Sequence, residues 1–510
     1  MNDTAHALGS ARTLWELAAR RAELTPHRPV FLQGDRSLSF GELRDRAERV
    51  AAGLYDMGVR PGTVVAWQLP TRIETALLSF ALARLGAVQS PVIPFYRDCE
   101  VGFALRESKA EFFAVPGEWR GFHHAAMARR LGARGVFEAY DHLPDGDPAV
   151  LPAPPSEGTS VRWIYWTSGT TSDPKGVLHT DRSLIAGGSC LAHALRLSVD
   201  DVGSMAFPYA HIAGPDYTVM LLLYGFPAVL FEQFALPAAL EDYRKHGVTV
   251  AGGSTAFYSM FLTEQRKQPG EPLIPTLRLL AGGGAPKPPE VYHTVVREMG
   301  VQLTHGYGMT EVPMITMGSP DDTVENLATT EGRPPEGMEI RIVDGEVRLR
   351  GEAVCQGYLD PAQTAEAFDG DGFLITGDVG HLTEGGHLVL TGRLKDVIIR
   401  KGENISAKEI EDLLHRHPAV GDAAVIGLPD AERGERVCAV IETAEQPSGA
   451  EELTLAVITS HLRAEGLSVH KLPEQLEVVD ALPRNEALRK VLKYKLRERF
   501  SRPSGAAQAP

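Results

Sequence analysis

The sequence predicts an α/β fold: a large N-terminal domain of mostly parallel sheets, followed by a small α+β unit. Three observations carry this. Strand-like and helix-like segments alternate up to about Ile375, the pattern of βαβ units around a parallel sheet. A Pro/Gly-rich stretch, Pro144–Gly158, interrupts the alternation and reads as a connector. From Asp396 onward the pattern resets into a shorter mixture of helix and strand.

The elements follow in order. Ser39–Leu54 reads as a helix, with Ser39 as N-cap and Glu42 three residues on, the spacing of a capping box. Thr63–Leu69 is a short β-rich run, Ile73–Leu85 a helix and Val88–Ile93 a second strand. The apolar run Tyr217–Phe231 contains Gly225 and Pro227 and falls short of the roughly 20 residues that span a bilayer. It reads as core. Glu346–Arg350, Cys355–Leu359 and His387–Leu390 read as short antiparallel strands. In the last unit, Ala407–Leu414 and Leu453–Ala464 are helical, and Ala423–Leu428 and Val437–Glu442 are strands.

Composition narrows the function. The 510 residues are 43% hydrophobic and 23% charged, which excludes a mainly disordered, collagen-like or coiled-coil chain. The net charge of −15 argues against a nucleic-acid binder, which needs a basic face to displace counterions. Cys99, Cys190, Cys355 and Cys438 are scattered without metal-ligand spacing, so neither a zinc site nor a disulfide framework is expected. His123-His124 and His415-Arg416-His417 lack it too. With no apolar signal core near Met1, a cytoplasmic protein without integral membrane association is expected. There is no G-x-S-x-G elbow, nor a G-x-G-x-x-G opening a helix after a strand, which disfavours a serine hydrolase and a dinucleotide dehydrogenase.

The chemistry is concentrated in one loop. The strand Val161–Trp166 leads into Thr167-Ser168-Gly169-Thr170-Thr171-Ser172-Asp173-Pro174-Lys175-Gly176. The loop is dense in hydroxyls and backbone N–H groups and ends in a lysine, in a chain where lysine is scarce. Such a loop can cradle a polyphosphate. It is not a Walker A loop, because Pro174 and Gly176 replace the second glycine and the Ser/Thr.

This string resembles the signature loop of the adenylate-forming superfamily, in its acyl-CoA synthetase type. Three more strings resemble that family in the same order. They are Gly306-Tyr307-Gly308-Met309-Thr310-Glu311, Thr376-Gly377-Asp378, and Gly392-Arg393-Leu394-Lys395-Asp396 running on through Lys401-Gly402-Glu403. The resemblance implies a small β-barrel within the large domain and a mobile C-terminal domain. The implied division is 1–391 for the AMP- and acyl-binding domain, 392–396 for a hinge, 397–500 for the small domain and 501–510 for a disordered tail.

The implied reaction joins a carboxylic acid to ATP, releasing pyrophosphate, and then passes the acyl group to a thiol, usually of coenzyme A. The implied nucleotide site is Thr167, Ser168, Gly169, Thr170, Thr171 and Lys175 on the phosphates, Gly283, Gly284 and Ala285 as one adenine wall, and Gly306, Tyr307, Gly308 and Met309 as the other. Asp378 would take the ribose and Arg393 the ribose or phosphate. Thr170 and Glu311 would ligate Mg²⁺, and Thr310 would donate to the α-phosphate. Lys395 would be the hinge, and Lys401, Gly402 and Glu403 would line the pantetheine path. The acyl site would draw on Tyr209 and His211, in Pro208-Tyr209-Ala210-His211-Ile212-Ala213-Gly214, and on Gly253, Gly282 and Gly308. Acetate-specific relatives carry a Trp where Gly308 stands. The glycines therefore imply a roomy apolar cavity for a bulky acid. A homodimer stays open.

One departure stands out. The family ends in Pro-Arg-Thr/Asn-x-x-Gly-Lys, and that lysine reaches the reacting phosphate. Here the stretch is Pro483-Arg484-Asn485-Glu486-Ala487-Leu488-Arg489-Lys490, one residue longer and without glycine. Forward counting puts Arg489 at the lysine position and backward counting puts Lys490 there. A one-residue slip moves a Cα by about 3.8 Å. The sequence thus leaves open a full acyl-CoA ligase, an enzyme weak in adenylation that still converts a supplied acyl-adenylate, a carrier-protein-loading enzyme, or a non-catalytic adenylate-binding protein.

Overall fold

The computed structural model describes residues 8–167, 174–285, 287–401, 403–430, 432–444, 453–485 and 489–501. Five sheets organise it. The largest runs Val136–Glu138, Phe112–Val115, Val64–Trp67, Val88–Pro91, Val161–Thr167 and Lys175–Thr180 across its width. Its pairs are parallel except the last, an antiparallel pair that sets Thr167 opposite Lys175. A second sheet joins Arg36–Ser39, Pro29–Gln33, Ala228–Leu230 and Gly203–Met205. A third joins Val250–Ala251, Leu279–Gly283 and Gln302–Met309 in parallel and turns back through Val312–Met317.

The predicted elements form for local reasons that survive folding. The helix Phe40–Asp56 starts on the capping box: Ser39 Oγ accepts from Glu42 N at 3.2 Å, and Glu42 Oε2 accepts from Ser39 N at 2.8 Å. Ile73–Leu85 is a helix buried on every face, ended by Gly86 at φ 68°. Its sequence is mostly apolar, as a helix inside a large core requires, and its two buried charges are paired, Glu74 with both Arg36 and Arg72, Arg84 with Glu48. The Tyr217–Phe231 run splits into the end of helix Ala213–Tyr224, a left-handed Gly225, and the strand Ala228–Leu230.

Where the resemblance implied a small barrel stands a four-stranded antiparallel sheet, Met338–Val343, Glu346–Gly351, Leu374–Leu382 and Leu388–Arg393. Residues 331–332 tie it to the third sheet, since Glu331 N donates to Leu388 O and Leu388 N donates to Gly332 O, at 2.8 and 2.9 Å. Cys355–Leu359, predicted as a strand, is not a regular strand but runs antiparallel along the edge strand Lys175–Thr180. Tyr358 bridges to Val177, Gln356 N donates to Leu178 O at 2.8 Å, Leu178 N donates to Gly357 O at 2.9 Å, and Leu359 N donates to Gly176 O at 2.8 Å. Gly357 there takes φ 113°.

The fifth sheet contains Glu403–Ile405, Ile398–Arg400, Gly434–Thr443 and Val420–Asp430, with Gln475–Val479 parallel to Gly434–Thr443. The helices Ala407–Leu414 and Leu455–Ala464 cover it, and its two apolar clusters draw only on residues from Ile398 onward. Among the described residues no helix is long and apolar enough to cross a membrane.

Candidate active site

The strand pair that sets Thr167 against Lys175 brings together the two ends of the phosphate-loop string. Ser168, Gly169, Thr170 and Thr171 lie outside the described residues, as does Gly402. Lys175 Nζ sits 4.9 Å from the Tyr358 ring centroid, and Tyr358 Oη donates to Glu311 Oε1 at 2.8 Å. Lys175, Tyr358 and Glu311 thus form one polar cluster. The backbone beside it is also held: Thr310 O lies 2.8 Å from His179 Nε2, and Glu311 O accepts from Cys355 N at 2.8 Å. A carbonyl only accepts, so His179 Nε2 carries the proton. Burial pushes this imidazole down to about 4, which keeps it neutral. Sequence reasoning missed both His179 and Tyr358. No spacing marks them, because each meets Thr310-Glu311 from a distant strand or loop.

The adenosine side is built from two hairpins. Asp378 and Arg393 are register partners across the antiparallel sheet, and Arg393 Nε meets Asp378 Oδ1 at 2.7 Å. Tyr307 Oη donates to Asp378 Oδ2. Burial and the neighbouring carboxylate push the Tyr307 phenol well up, so it stays a donor. Gly283 and Gly306 are opposite one another on parallel strands, and a Cβ on Gly283 would stand 2.5 Å from Gly306 O. Ala285 O faces His305 Nε2 at 2.9 Å. Met309 pairs with Val312 and packs partly buried in the core beside this sheet.

A cleft of about 1390 Å³ is lined from one side by Gly284, Ala285, Gly306, Tyr307, Gly308, Asp378 and Arg393. From the other side the small domain closes it with Ser406, Arg489 and Lys490. Lys490 Cε lies 3.8 Å from where a Cβ on Gly284 would stand. Its ammonium is held down to about 8, by burial first and then by Arg393, and Glu311 acts on it with the opposite sign. His211, pushed down to about 4 by burial, also feels the Lys490 charge. Arg489 is exposed and takes φ 58°. Of the two registers the sequence allows, the structure sends Lys490 inward against Gly284.

Other predicted residues go elsewhere. Lys401 is exposed, takes φ 51° and stands 3.6 Å from Glu432. Neither it nor the exposed Glu403 is among the described residues that line the cleft. Lys395 lies in the single turn Leu394–Asp396 and lines the cleft. Burial and Arg393 lower its ammonium.

The acyl residues need correction. Tyr209 is 1% exposed and packs in the core, 6.1 Å from the Trp67 ring, so it does not line the cleft. Of the three glycines assigned to the acyl site, Gly308 lines the cleft, whereas Gly253 and Gly282 are not among its described lining residues. A Cβ would meet Gly253 O at 2.0 Å on Gly282, Pro313 O at 2.3 Å on Gly308, and the Phe257 ring at 2.8 Å on Gly253. They are glycine because backbone and ring pack against them. The apolar room comes from Phe207, Phe231, Phe234, Phe257 and Met260, which also line the cleft. Asp216, the carboxylate nearest the acyl motif, is 2% exposed with Oδ1 unpartnered among the described residues, and burial pushes it up to about 8.

Residues 18–359 match the family model described as AMP-binding enzyme, and residues 409–487 match the AMP-binding enzyme C-terminal domain. The chain is 33% identical to a salicyl-AMP ligase / salicyl-S-ArCP synthetase of Mycobacterium tuberculosis, over 93% of this chain and 88% of the other. It is 29% identical to a medium-chain fatty-acid–CoA ligase of Escherichia coli, over 91% and 86%. Among solved structures, ATP-bound MatB from Rhodopseudomonas palustris superposes with a TM-score of 0.85 at 28% identity, covering 95% of this chain and 98% of that one. The chain belongs to the AMP-binding enzyme family, the adenylate-forming ligases of acyl-CoA synthetase type.

Proposed function

We propose that this protein is an acyl-CoA ligase for a bulky apolar acid, acting through an acyl-adenylate. The observation that carries the reading is Lys490, brought by the small domain to Gly284 beside the Asp378–Arg393 pair. Adenylation drives one anion onto another, so it needs positioned positive charge in a cleft shielded from water. Lys490 supplies that charge at the reacting phosphate, and Lys175 supplies it at the tail of ATP. Asp378 takes the ribose hydroxyls, with Arg393 keeping the carboxylate oriented. Mg²⁺ is a hard cation that seeks oxygen donors. Glu311, oriented by Tyr358, offers it a carboxylate, and Thr170 is assigned the second ligand from the family resemblance.

The thiol step is assigned to a second arrangement of the small domain. It turns about Lys395 and brings the Lys401–Glu403 segment to the cleft. The exposure of Lys401 and Glu403 in the present arrangement supports this reading. The aromatic lining of the cleft supports a bulky acid. A second reading keeps the adenylation but gives the acyl group to a carrier protein. The 33% identity to a relative named as a salicyl-S-ArCP synthetase favours considering it.

One experiment tests both. ATP is offered with octanoate, cyclohexanecarboxylate, salicylate or acetate, and with coenzyme A or a holo-carrier protein. The expected outcome is a thioester of coenzyme A, with a bulky acid at least about 100-fold ahead of acetate in kcat/KM, a difference of roughly 3 kcal/mol. Acetate turning over faster would refute the acid assignment, and acylation of the carrier alone would select the second reading.

A further inference from the structure

We propose that Asn485 is the positioning residue that carries Lys490 to the cleft, through a left-handed turn at Arg489. This rests on the reading of Lys490 as the adenylating cation. Three hydrogen bonds link Asn485 to the end of its loop. Asn485 N donates to Lys490 O at 2.9 Å, and Arg489 N donates to Asn485 O at 3.1 Å. Lys490 N donates to Asn485 Oδ1 at 3.0 Å. The side chain therefore does for Lys490 what the backbone does for Arg489. Outside them, Leu492 N donates to Pro483 O at 2.7 Å, and Arg484 bridges to Val491. Arg484 also ties the turn to the sheet, with its guanidinium on the Asp422 carboxylate and on Arg489 O, the latter at 3.1 Å.

Closing this turn requires Arg489 to adopt φ 58°, a conformation that glycine takes freely and a side chain resists. The exposed guanidinium plays no part in the cleft contact with Gly284, which Lys490 makes. At this position backbone shape is the requirement, and charge is incidental. The loop is one residue longer than the family pattern, yet the hydrogen bonds from Asn485 to Arg489 and Lys490 hold Lys490 within reach of Gly284. One residue of slip would displace its Cα by about 3.8 Å and take the ammonium out of range.

The test uses the full chain with Asn485→Ala, Asn485→Asp, Arg489→Gly and Arg489→Val. The first readout needs no knowledge of the acid: acetylation of Lys490 by acetic anhydride, followed by mass spectrometry with and without AMP. The second is ATP–pyrophosphate exchange with octanoate or salicylate. The third is thioester formation from premade octanoyl-adenylate and coenzyme A.

Asn485→Ala is expected to lose the AMP-dependent protection of Lys490. Its exchange should fall about tenfold in kcat, the worth of one positioning hydrogen bond, with the KM for ATP within about twofold. Its thioester formation should be unchanged, which shows that it folds. Asn485→Asp keeps the acceptor oxygen and should recover to within about threefold. Arg489→Gly should match or exceed the parent, whereas Arg489→Val, β-branched at positive φ, should lose about tenfold. Retention of protection and exchange by Asn485→Ala and Arg489→Val would overturn the proposal. So would a loss in Arg489→Gly as deep as removing Lys490 itself. If neither acid exchanges, the acid assignment fails and the protection readout alone decides the positioning role.

Discussion

Replacing Lys490 with alanine is expected to lower ATP–pyrophosphate exchange by about 10²–10³, the usual cost of removing one group that stabilises charge in a transition state. Thioester formation from a premade adenylate should stay within about threefold, because that step is assigned to the opposite face of the small domain. The substitution leaves Gly284 without its neighbour but buries no new polar group, so folding should be unaffected. The pH profile gives an independent check. The working form of Lys490 is the ammonium, and in the free enzyme it titrates at about 8. The kcat/KM for ATP, which reports on the free enzyme, should therefore fall as pH rises through that value. In Lys490→Ala this alkaline limb should vanish. An unchanged limb in the variant would assign the titration to another group.

The second large effect is on stability. Asp216 lies in the first turn of helix Ala213–Tyr224, packed so closely that a Cβ on Gly187 would stand 2.6 Å from its Oδ1. Burial raises its carboxyl from 3.8 in the unfolded chain to about 8 in the fold. Below the lower value both states hold the proton and the group is neutral to stability. Between the two, the unfolded chain releases its proton while the fold retains it, and the fold loses up to about 1.4 kcal/mol per pH unit. Above the upper value the loss is complete and levels off.

Asp216→Asn, similar in shape to the protonated acid, removes this penalty. It is expected to stabilise the protein at pH 7 by on the order of 2–4 kcal/mol, and the gain should shrink as pH falls toward 4. Melting temperatures of both proteins across pH 4 to 9 measure it. The unpaired amide adds a constant offset, so the slope is diagnostic. A difference between the two curves that did not change with pH would contradict the shifted carboxyl.

The limits of sequence reading show at particular residues. The Ser39 capping box and the helix Ile73–Leu85 were legible because their causes lie within a few neighbours in the chain. Gly282 and Gly308 were both read as leaving space for the acid. Gly308 lines the cleft and Gly282 is not among its described lining residues, and at each the place of a Cβ is taken by a backbone carbonyl, Gly253 O or Pro313 O. Tyr209 lies in the acyl-pocket string, but its ring turns into the core toward Trp67. Tyr358 fell in a stretch read as a strand, and its role beside Glu311 appears only once that stretch is seated along Lys175–Thr180. Charge and hydrophobicity say what a residue prefers, and the partner across the gap decides what it does.

By itself, the order of the motifs along the chain determined the kind of enzyme, since each string encodes a local turn whose hydroxyls, glycines and charges suit one part of a nucleotide. The tertiary structure alone decided which cation reaches Gly284. Arg489 and Lys490 are adjacent and both basic, and counting cannot separate them. Closure of the loop by Asn485 turns the backbone left-handed at Arg489 and aims only Lys490 at Gly284. That choice depends on hydrogen bonds and on the approach of a distant strand, which no linear spacing records.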